Sequence, residues 1–455
     1  MKLAIIGGAG ARVPLVLVGL LRFHQDLHTD EVVLWDTNGD RQKMVSRICS
    51  GMLERYSAPT KVRTGKTLED TLEGADFIIA SIRVGGIQTR VLDEQIALSH
   101  GVLGQETVGP GGWAMALRTI PPILKYAQLA EKIAPRAWLL NFSNPVGIVL
   151  QALLQAGVQR TIGVCDTPRE LFESAAAQLK VPSEQAFFDY LGLNHLGWVR
   201  SIQVNGKDRL PELLSAPDHL NHLYHVPLFT PEYLQDLKLL PTEYVYFYLH
   251  AEDAVAKLKQ AAKTRGQMVA EQEDELFRAV ASAGDDTRQV VAAYDNFLAS
   301  RNATYFQLET GAKVDEEKMR TAHKELYEKS AGYERIAVDV MRAIASNRPR
   351  VFPVDVANNG SIDDLGPRDA VEVPCVIDSN GAKPLAVGSV PDEVRSLLLQ
   401  VKRYEQLTAN AALEGSARIA KQALAANPLV GDSSLADAMG AEYLHAHKSY
   451  LDYLQ

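Results

Sequence analysis

The hydrophobic pattern of residues 1–170 alternates short apolar runs with longer amphipathic segments. Five of the runs have the length and residue types of β-strands, and they cover residues 2–6, 31–35, 77–81, 137–141 and 161–165. Strands that alternate with helices predict an α/β fold, a doubly wound parallel sheet of Rossmann type. Because such sheets bind ligands at the carboxyl ends of their strands, we expect the chemistry just after these runs.

The pattern changes after residue 170. Residues 187–205 alternate like a hairpin, and residues 349–391 are rich in Pro, Gly and Val, which is typical of strands and turns. Long helical patterns occupy residues 254–282, 315–346 and 392–426. We therefore predict two domains, a Rossmann-type domain at 1–170 and a mixed α+β domain at 171–455.

Composition indicates an ordinary globular protein of the cytoplasm. Of 455 residues, 46% are hydrophobic and 23% are charged. Three scattered cysteines, Cys49, Cys165 and Cys375, leave no disulfide framework and fit a reducing compartment. The formal net charge of −9 argues against a nucleic-acid-binding surface, which needs concentrated Lys and Arg. Since no run approaches the roughly 20 apolar residues of a membrane span, we expect neither a nucleic-acid nor a membrane partner.

A glycine-rich turn follows the first predicted strand. Gly7, Gly8 and Gly10 precede Val13 and Pro14, and a proline suits the first turn of a helix. Glycines let the backbone approach a pyrophosphate, whose charge is favoured by the N-terminus of a helix. The match to the dinucleotide pattern G-x-G-x-x-G is incomplete, because Val13 stands in place of the third glycine. By itself the segment is equally compatible with a tight turn that binds no ligand.

Asp36 strengthens the prediction of a dinucleotide site. It ends the second apolar run, where an acidic residue of such a unit binds the ribose. A carboxylate there accepts a hydrogen bond from the ribose 2′-hydroxyl and repels a 2′-phosphate, which predicts NAD as the cofactor in preference to NADP. The alternative is that Asp36 only caps the turn that it forms with Thr37 and Asn38.

The segments that follow are not those of a dehydrogenase. In chain order they read IRVGG at 82–86, Arg90 with DE at 93–94, GQET at 104–107, GPGG at 109–112, RTIP at 118–121, NFSNP at 141–145, GVCDTP at 163–168 and GLNHLGW at 192–198. Together, and in this order, they resemble glycoside hydrolase family 4. The resemblance spans nearly the whole chain, since residues 264–266, 358–360 and 372–374 also resemble family segments.

The resemblance implies a cofactor, a metal and a substrate class. The first domain would bind NAD, and the second would bind the substrate and a divalent metal, manganese in the first place, and would form oligomers. The implied enzyme is a 6-phospho-glucosidase whose substrate is a small phosphorylated sugar. The family resemblance and the apolar C-terminal helices lead us to expect a homodimer or a homotetramer.

The anomer of the substrate stays open at this stage. Residues 83–121 most resemble the 6-phospho-β-glucosidases, which we prefer, whereas Asp166 and residues 193–198 resemble the 6-phospho-α-glucosidases. In the family, the residues after the metal-binding cysteine vary with substrate class, and here they read Cys-Asp-Thr-Pro at 165–168. This disfavours the branch that carries Cys-His-Ser, the α-glucosidases of non-phosphorylated sugars.

The reaction of this family departs from that of most glycosidases, in which two carboxylates flank the scissile bond. The resemblance implies that NAD takes a hydride from C3 of the sugar, which acidifies the proton on C2. A base removes that proton, the aglycone leaves from C1, water adds, and C3 is reduced again. NAD is regenerated in each turnover.

The resemblance assigns Cys165 and His195 as the protein ligands of the metal. A divalent cation at the C2 and C3 oxygens would stabilise the charge that develops there. The alternatives are a cysteine that acts as a small hydrophobic residue and a histidine with a structural role. Two protein ligands leave the site open, so we expect loss of manganese and oxidation of the thiol each to inactivate the enzyme.

The proton-transfer roles fall to Tyr244 and Asp166 by the same resemblance. Tyr244 belongs to an aromatic segment, residues 242–248, that could instead be a stripe of the core. A phenol has a pKa of about 10, so it acts as a base near neutral pH only if a cation stabilises its phenolate. Asp166 corresponds to the acid that protonates the leaving oxygen in 6-phospho-α-glucosidases, a role that requires a protonated carboxyl. On a β-glucoside it would only position the sugar.

Two asparagines are expected to bind the sugar. Asn144 would hydrogen-bond a sugar hydroxyl near the nicotinamide, and it could also form a turn before Pro145. Asn194, which precedes His195, is placed at the substrate by the resemblance.

Three arginines are the candidates for the 6-phosphate, because a planar guanidinium makes bidentate contacts to phosphate. Arg265 and Arg90 come first and Arg83 next. Each of them could instead be a solvated surface residue.

Two other classes of protein would also account for a dinucleotide site. An NAD-dependent 2-hydroxy-acid dehydrogenase would produce NADH from a lactate- or malate-like acid and would need neither manganese nor a thiol. A sugar-sensing NAD-binding module would not turn over its ligand, and it would have no use for a base such as Tyr244 beside a metal.

Overall fold

The parallel part of the fold is a six-stranded sheet. The computed structural model describes residues 1–311 and 333–455. Its first strands are β1 (Lys2–Ile6), β2 (Glu31–Trp35), β3 (Lys61–Thr64), β4 (Phe77–Ala80), β5 (Trp138–Asn141) and β6 (Thr161–Gly163). They pair in parallel in the order β3-β2-β1-β4-β5-β6. This is the order of dinucleotide-binding sheets, so the predicted Rossmann-type α/β fold is confirmed.

The later strands extend the same sheet in the antiparallel sense. They are β7 (Ala186–Leu193), β8 (Leu196–Val204), β9 (Lys207–Asp208), β10 (Leu240–Pro241), β11 (Arg350–Ala357), β12 (Ala370–Asp378) and β13 (Gly381–Pro384). β11 joins β6 where Asp355 pairs with Gly163, and the sheet continues through β12, β7, β8 and β10. The predicted hairpin is β7 with β8. Because one sheet runs through both parts of the chain, the division at residue 170 stays a prediction.

Helices connect the strands and fill the C-terminal part. Those up to β10 are α1 (Val13–Arg22), α2 (His24–Leu27), α3 (Gly39–Arg55), α4 (Leu68–Leu72), α5 (Gly86–Ser99), α6 (Pro110–Ile133), α7 (Val146–Gln155), α8 (Thr167–Gln178), α9 (Leu210–Leu214), α10 (Pro217–Leu220) and α11 (Pro231–Leu237). Those after it are α12 (Val245–Leu249), α13 (Ala251–Gln260), α14 (Arg265–Ser282), α15 (Thr287–Ala303), α16 (Gln307–Thr310), α17 (Tyr333–Ser346), α18 (Asp392–Glu414), α19 (Ala417–Ala426), α20 (Ser433–Ala446) and α21 (Lys448–Leu451).

Two of the predicted helical patterns are confirmed as helical, but each is divided into two helices. The pattern over 254–282 becomes α13 and α14, because a capping box starts a new helix after Thr264. In this box the Thr264 hydroxyl accepts a hydrogen bond from the N–H of Gln267. The Gln267 side chain accepts one in return from the N–H of Thr264. The pattern over 392–426 becomes α18 and α19, divided at Gly415, whose φ of +67° ends a helix. Of the third pattern, residues 315–332 lie outside the described residues.

Strand β3 is missing from the predicted set. Its sequence, KVRT, is polar and its residues are exposed or half-buried, as expected at the edge of a sheet. The hydrophobic pattern therefore carries no signal for it. No helix in the described part of the chain has both the length and the apolar character needed to cross a membrane.

Candidate active site

The glycine-rich turn closes tightly over the sheet. Gly7 has a φ of +92°, and a Cβ atom there would lie 2.1 Å from the backbone oxygen of Ser81. The N–H groups of Gly7 and Gly8 both donate to the backbone oxygen of Trp35, at 3.0 and 2.8 Å. A glycine is thus required at position 7 by conformation and by space. The turn brings the start of α1 to the carboxyl ends of β1 and β4.

Asp36 lies beside this turn, at the end of β2. Its carboxylate accepts hydrogen bonds from the N–H of Ala9 at 3.1 Å and from the N–H of Asn38 at 2.9 Å. The turn-capping role is therefore present. The side chain is half-buried, and it couples the glycine-rich turn to the strand end where a ribose acid is expected.

Cys165 and Asp166 follow β6 at the same edge of the sheet. Cys165 is buried, with 7% of its surface exposed, and burial raises the pKa of its thiol well above the usual range, with Glu372 and Asp166 adding to the effect. Asp166 precedes α8 and accepts a hydrogen bond from Arg12 at 3.2 Å. Arg12 comes from the glycine-rich turn, so this ion pair joins the two strand ends.

His195 lies in the tight turn between β7 and β8, with a φ of +63°. Its Nδ1 is 3.2 Å from the hydroxyl of Thr107, which donates its own proton to Oε1 of Gln105. This contact fits the tautomer in which Nδ1 donates to Thr107 and Nε2 keeps a lone pair. Burial lowers the pKa of His195 to about 4, so the imidazole is neutral.

Tyr244 stacks on His195, with ring centroids 4.0 Å apart and 7° between the ring planes. Burial raises the pKa of Tyr244 well above its usual range, and Glu243 and Glu106 add to the shift. Cys165 is close enough to contribute in the same direction. Two of the predicted residues, His195 and Tyr244, are thus in direct contact, and the charge of a third, Cys165, acts on the same phenol.

The rest of the aromatic segment does belong to the core. Val245, Tyr246 and Phe247 are buried, whereas Tyr244 is half-buried. The core interpretation of the segment therefore applies to Val245, Tyr246 and Phe247, and the base interpretation is left to Tyr244.

Arg83 and Arg90 converge on Glu106. Arg83 donates to Glu106 at 2.6 Å, and Arg90 contacts the same oxygen at 2.8 Å. Burial opposes ionisation of Glu106, but Arg90 and Arg83 hold its pKa well below the ordinary value. Sequence reasoning did not select Glu106, although it lies in the GQET segment that supports the family resemblance.

Arg265 and Arg301 lie next to this group. Arg265 donates to the hydroxyl of Thr304 and to the backbone oxygen of Arg301. Within residues 1–311 and 333–455 the Arg301 guanidinium forms no hydrogen bond or ion pair. Burial lowers the pKa of Arg301 to about 10, and the positive charges of Arg12 and Arg265 contribute. The charged residues that line a small cavity of about 40 Å³ are three arginines and three glutamates, and its aromatic residues include Tyr244 and Tyr305; the charged ones are Arg90, Arg265, Arg301, Glu94, Glu106 and Glu309.

Both predicted asparagines place polar side-chain atoms in the interior. Asn144 follows β5, and its side-chain oxygen is buried without a hydrogen-bond partner in the described part of the chain. Asn194 donates to Glu372 at 3.5 Å, and Tyr190 donates to the other oxygen of that carboxylate at 2.6 Å. Sequence reasoning missed the role of Glu372, a buried residue of β12, as a partner of Asn194.

The residues present fit the expected metal and cofactor. A deprotonated thiol and a neutral imidazole with an available lone pair can both bind a divalent transition metal, and oxygens of substrate or water would supply the harder donors that manganese prefers. Among residues 1–311 and 333–455, no three His, Cys, Asp or Glu side chains cluster to hold a metal by themselves, which leaves a two-residue donor set completed by substrate or water. The tight glycine turn and Asp36 fit a dinucleotide.

Comparison with known proteins gives a consistent family. Residues 2–181 match the model of the family 4 glycosyl hydrolases, and residues 190–430 match that of the family 4 glycosyl hydrolase C-terminal domain. The chain is 30% identical to a probable 6-phospho-beta-glucosidase of Bacillus subtilis, over 99% of this chain and 97% of the relative.

Two solved structures are similar over the whole length. One is the 6-phospho-beta glucosidase of Thermotoga maritima with manganese, NAD+ and glucose-6-phosphate, at 26% identity, a TM-score of 0.81 and 99% coverage of both chains. The other is a 6-phospho-alpha-glucosidase from gut microorganisms in complex with NAD and glucose-6-phosphate. It is 27% identical, with a TM-score of 0.82, and covers 99% of this chain and 98% of its own.

Proposed function

Because this chain belongs to glycosyl hydrolase family 4, we propose that it hydrolyses 6-phospho-glucosides with NAD and a divalent metal, preferably manganese, as cofactors. The observation that carries the proposal is the contact of Tyr244 with His195 beside a cavity lined by three arginines, with Cys165 near enough for its charge to act on Tyr244. A 2-hydroxy-acid dehydrogenase would need neither the thiol nor the stacked tyrosine.

The cofactors supply chemistry that side chains lack. Bound NAD would accept and return a hydride at C3 of the sugar, and the metal held by Cys165 and His195 would act as a Lewis acid at the C2 and C3 oxygens. We propose that Gly7, Gly8, Gly10 and Asp36 bind the dinucleotide. Asn144, with its unpaired oxygen, would accept a hydrogen bond from a sugar hydroxyl near the nicotinamide.

Tyr244 would remove the proton from C2 of the sugar. Its stacking on His195 fixes the phenol beside the metal ligand, so the phenolate would form next to positive charge. Such placement is needed because burial alone opposes ionisation of Tyr244.

The arginine-lined cavity would hold the 6-phosphate. Arg83 and Arg90 already share Glu106, and Arg265 holds the backbone of Arg301. We therefore propose that the guanidinium of Arg301, which has no partner in the described part of the chain, makes the strongest new contact with the phosphate, supported by Arg265 and Arg90. Because Arg90 is already paired with Glu94 and Glu106, the phosphate would chiefly balance the charges of Arg265 and Arg301.

The anomer is proposed to be β. Arg12 balances the charge of Asp166 at 3.2 Å, which suits a carboxylate that positions the sugar better than an acid that donates a proton. The 6-phospho-α-glucosidases remain the alternative, and Asp166 would then protonate the leaving oxygen.

The test uses 4-nitrophenyl glucosides of both anomers, each with and without the 6-phosphate. We expect release of nitrophenol from the 6-phosphorylated β-anomer only when NAD, manganese and a thiol reductant are all present, without accumulation of NADH. Product formed in heavy water should carry deuterium at C2. Turnover that persists after removal of nucleotide and metal would contradict the mechanism.

We further propose that the enzyme is cytoplasmic and forms a homodimer or homotetramer. All three cysteines are free and buried, in keeping with a reducing compartment. Light scattering of the purified chain tests the assembly, and a monomer at all concentrations would refute it.

A further inference from the structure

A carboxyl group outside the expected set of site residues lines the same small cavity as the arginines proposed for the phosphate. Glu309 belongs to the short helix α16, and its backbone oxygen accepts a hydrogen bond from the Tyr246 hydroxyl at 3.1 Å. Its side chain shares the cavity with Arg265 and Arg301, and Tyr244 lines the same space. Glu309 therefore borders both the proposed phosphate site and the proposed base.

The carboxyl group of Glu309 is buried but lacks a partner. Glu309 is 7% exposed, and its Oε2 atom is buried without a hydrogen-bond partner in the described part of the chain. The other two glutamates of the cavity, Glu94 and Glu106, are each paired with Arg90. Because a buried oxygen costs free energy unless a donor reaches it, Glu309 is the acceptor that the cavity offers to a ligand.

The surroundings of this oxygen define the kind of group that it would bind. Burial raises the pKa of Glu309, and the charges of Arg265 and Arg90 oppose the shift. Arg265 directs hydrogen bonds elsewhere, to the Thr304 hydroxyl and to the backbone oxygen of Arg301. A phosphate would not satisfy Glu309, because phosphate oxygens are themselves negative acceptors. The group must instead be a donor.

The proposed reaction leaves one sugar hydroxyl without a protein partner. The metal would take the oxygens on C2 and C3, the bond at C1 is broken, and the phosphate is carried by C6. The 4-hydroxyl stands on the ring carbon next to C3, on the way to C6, and has no assigned contact. Since a hydroxyl has one proton to donate, it matches a buried acceptor that shares a cavity with the phosphate arginines.

We propose that Glu309 accepts a hydrogen bond from the 4-hydroxyl of the sugar and thereby selects glucosides over their 4-epimers, the galactosides. The inference rests on the proposed function, in which the phosphate arginines and Tyr244 bind the C6 and C2 ends of one sugar. In the 4-epimer the hydroxyl points to the other face of the ring and leaves the oxygen of Glu309 without a donor. A site built to bind a hydroxyl rejects such an analogue, because its own polar group stays buried and unpaired.

The test combines removal of the carboxyl group with removal of the hydroxyl. Wild type, Glu309→Ala and Glu309→Gln, all with NAD and manganese, are assayed on the 6-phosphorylated 4-nitrophenyl glucoside of the anomer that the wild type hydrolyses. The 4-deoxy analogue and the 4-epimer of this substrate are assayed in parallel. Glu252→Gln is the control, because it removes an exposed carboxylate on α13, the helix that packs against α16. Thermal melting with NAD checks that each variant is folded.

We expect the wild type to lose at least about tenfold in kcat/KM on the 4-deoxy analogue, as for the loss of a hydrogen bond to a charged group. Glu309→Ala should lose as much on the parent glucoside. On the 4-deoxy analogue it should stay within about twofold of the wild type, because the partner of the carboxyl group is already absent. Glu309→Gln keeps an acceptor oxygen and should lose less than Glu309→Ala. The preference for the glucoside over its 4-epimer should shrink in Glu309→Ala and persist in Glu252→Gln.

Two results would overturn the contact. One is an equal loss of kcat/KM by Glu309→Ala on the parent glucoside and on the 4-deoxy analogue, which would give the carboxyl group a structural role only. The other is a wild type that hydrolyses the 4-deoxy analogue as fast as the parent, a result that depends on no variant being folded. Failure of the proposed function is seen separately, as a wild type that hydrolyses the parent without NAD and metal or forms product without deuterium at C2.

Discussion

At the scale of single residues, His195 shows how backbone and chemistry restrict one position together. Its φ of +63° lies in the left-handed region, which few residues other than glycine tolerate. Its Nδ1 contacts Thr107 and its ring supports Tyr244. Glycine would satisfy the backbone, yet only an imidazole provides the hydrogen bond, the stacking surface and the proposed metal donor at once.

His195→Asn tests the donor separately from the turn. Asparagine tolerates positive φ, so we expect a melting temperature close to that of the wild type. Saturable binding of manganese, measured by calorimetry, should be lost because the imidazole is the proposed nitrogen donor. Unchanged manganese affinity in this variant would exclude His195 as a ligand.

Tyr244→Phe tests the base. The ring that stacks on His195 is kept, so folding and KM should change little. We expect kcat to fall by about 10²- to 10⁴-fold, the usual contribution of a positioned base, and deuterium incorporation at C2 to stop. Steady-state kinetics and mass spectrometry of the product measure both, and retention of either would argue against a base at this position.

Arg301→Ala tests the phosphate site. The loss of a charged donor should raise KM for the 6-phosphorylated substrate by about tenfold or more, given that hydrogen bonds to charged groups contribute about 1.5–3 kcal/mol. Activity on the unphosphorylated analogue should not fall further. Arg288→Ala, an exposed residue of the same helix, is the control, and equal effects of the two changes would exclude a specific role.

At the scale of elements, one buried carboxylate joins three helices. Asp93 on α5 accepts hydrogen bonds from Arg118 on α6 at 3.0 and 2.5 Å. His447, which follows α20, lies 2.7 Å from the same carboxylate, and Tyr443 on α20 donates to the backbone oxygen of Asp93 at 2.7 Å. The RTIP segment, which belongs to the family pattern, thus also serves the packing of the C-terminal helices.

Asp93→Ala should therefore destabilise the whole fold. It leaves the Arg118 guanidinium buried without its partner, and breaking such a pair costs about 3–5 kcal/mol. Denaturant unfolding measures the loss. Asp437→Ala, which removes only an exposed pair with Lys421, should change stability by less than about 1 kcal/mol, and a similar small effect for Asp93→Ala would show that the network is dispensable.

At the scale of the whole molecule, buried acids are concentrated where the parallel and antiparallel parts of the sheet join. Burial raises the pKa of Glu372 to about 7, with hydrogen bonds from Tyr190 and Asn194 opposing the shift. Burial and the charge of Glu372 also raise the pKa of Asp355, the residue that pairs β11 with β6. Where the parallel and antiparallel strands join, the folded state therefore favours the protonated form of these two carboxyl groups.

This concentration gives stability a definite dependence on pH. A carboxyl whose pKa is raised in the folded state contributes stability that is complete below its unfolded pKa and is lost as pH rises through the folded value. For Glu372 the loss falls between about pH 4.5 and about pH 7. We expect the cofactor-free protein to lose melting temperature over that interval and Glu372→Gln to lose less. An identical slope in the variant would assign the effect to other groups.

The sequence by itself determined the parallel half of the fold, the glycine turn, and the strand end that carries Cys165 and Asp166. Each depends on local pattern, because periodicity fixes the type of an element and a glycine turn fixes its own geometry. Tertiary structure alone decided that the GQET segment, the hairpin turn, α15 and β12 meet, which places Glu106, His195, Arg301 and Glu372 at one site. Contacts between segments so distant in the chain depend on how all the elements pack together, and no local pattern encodes that.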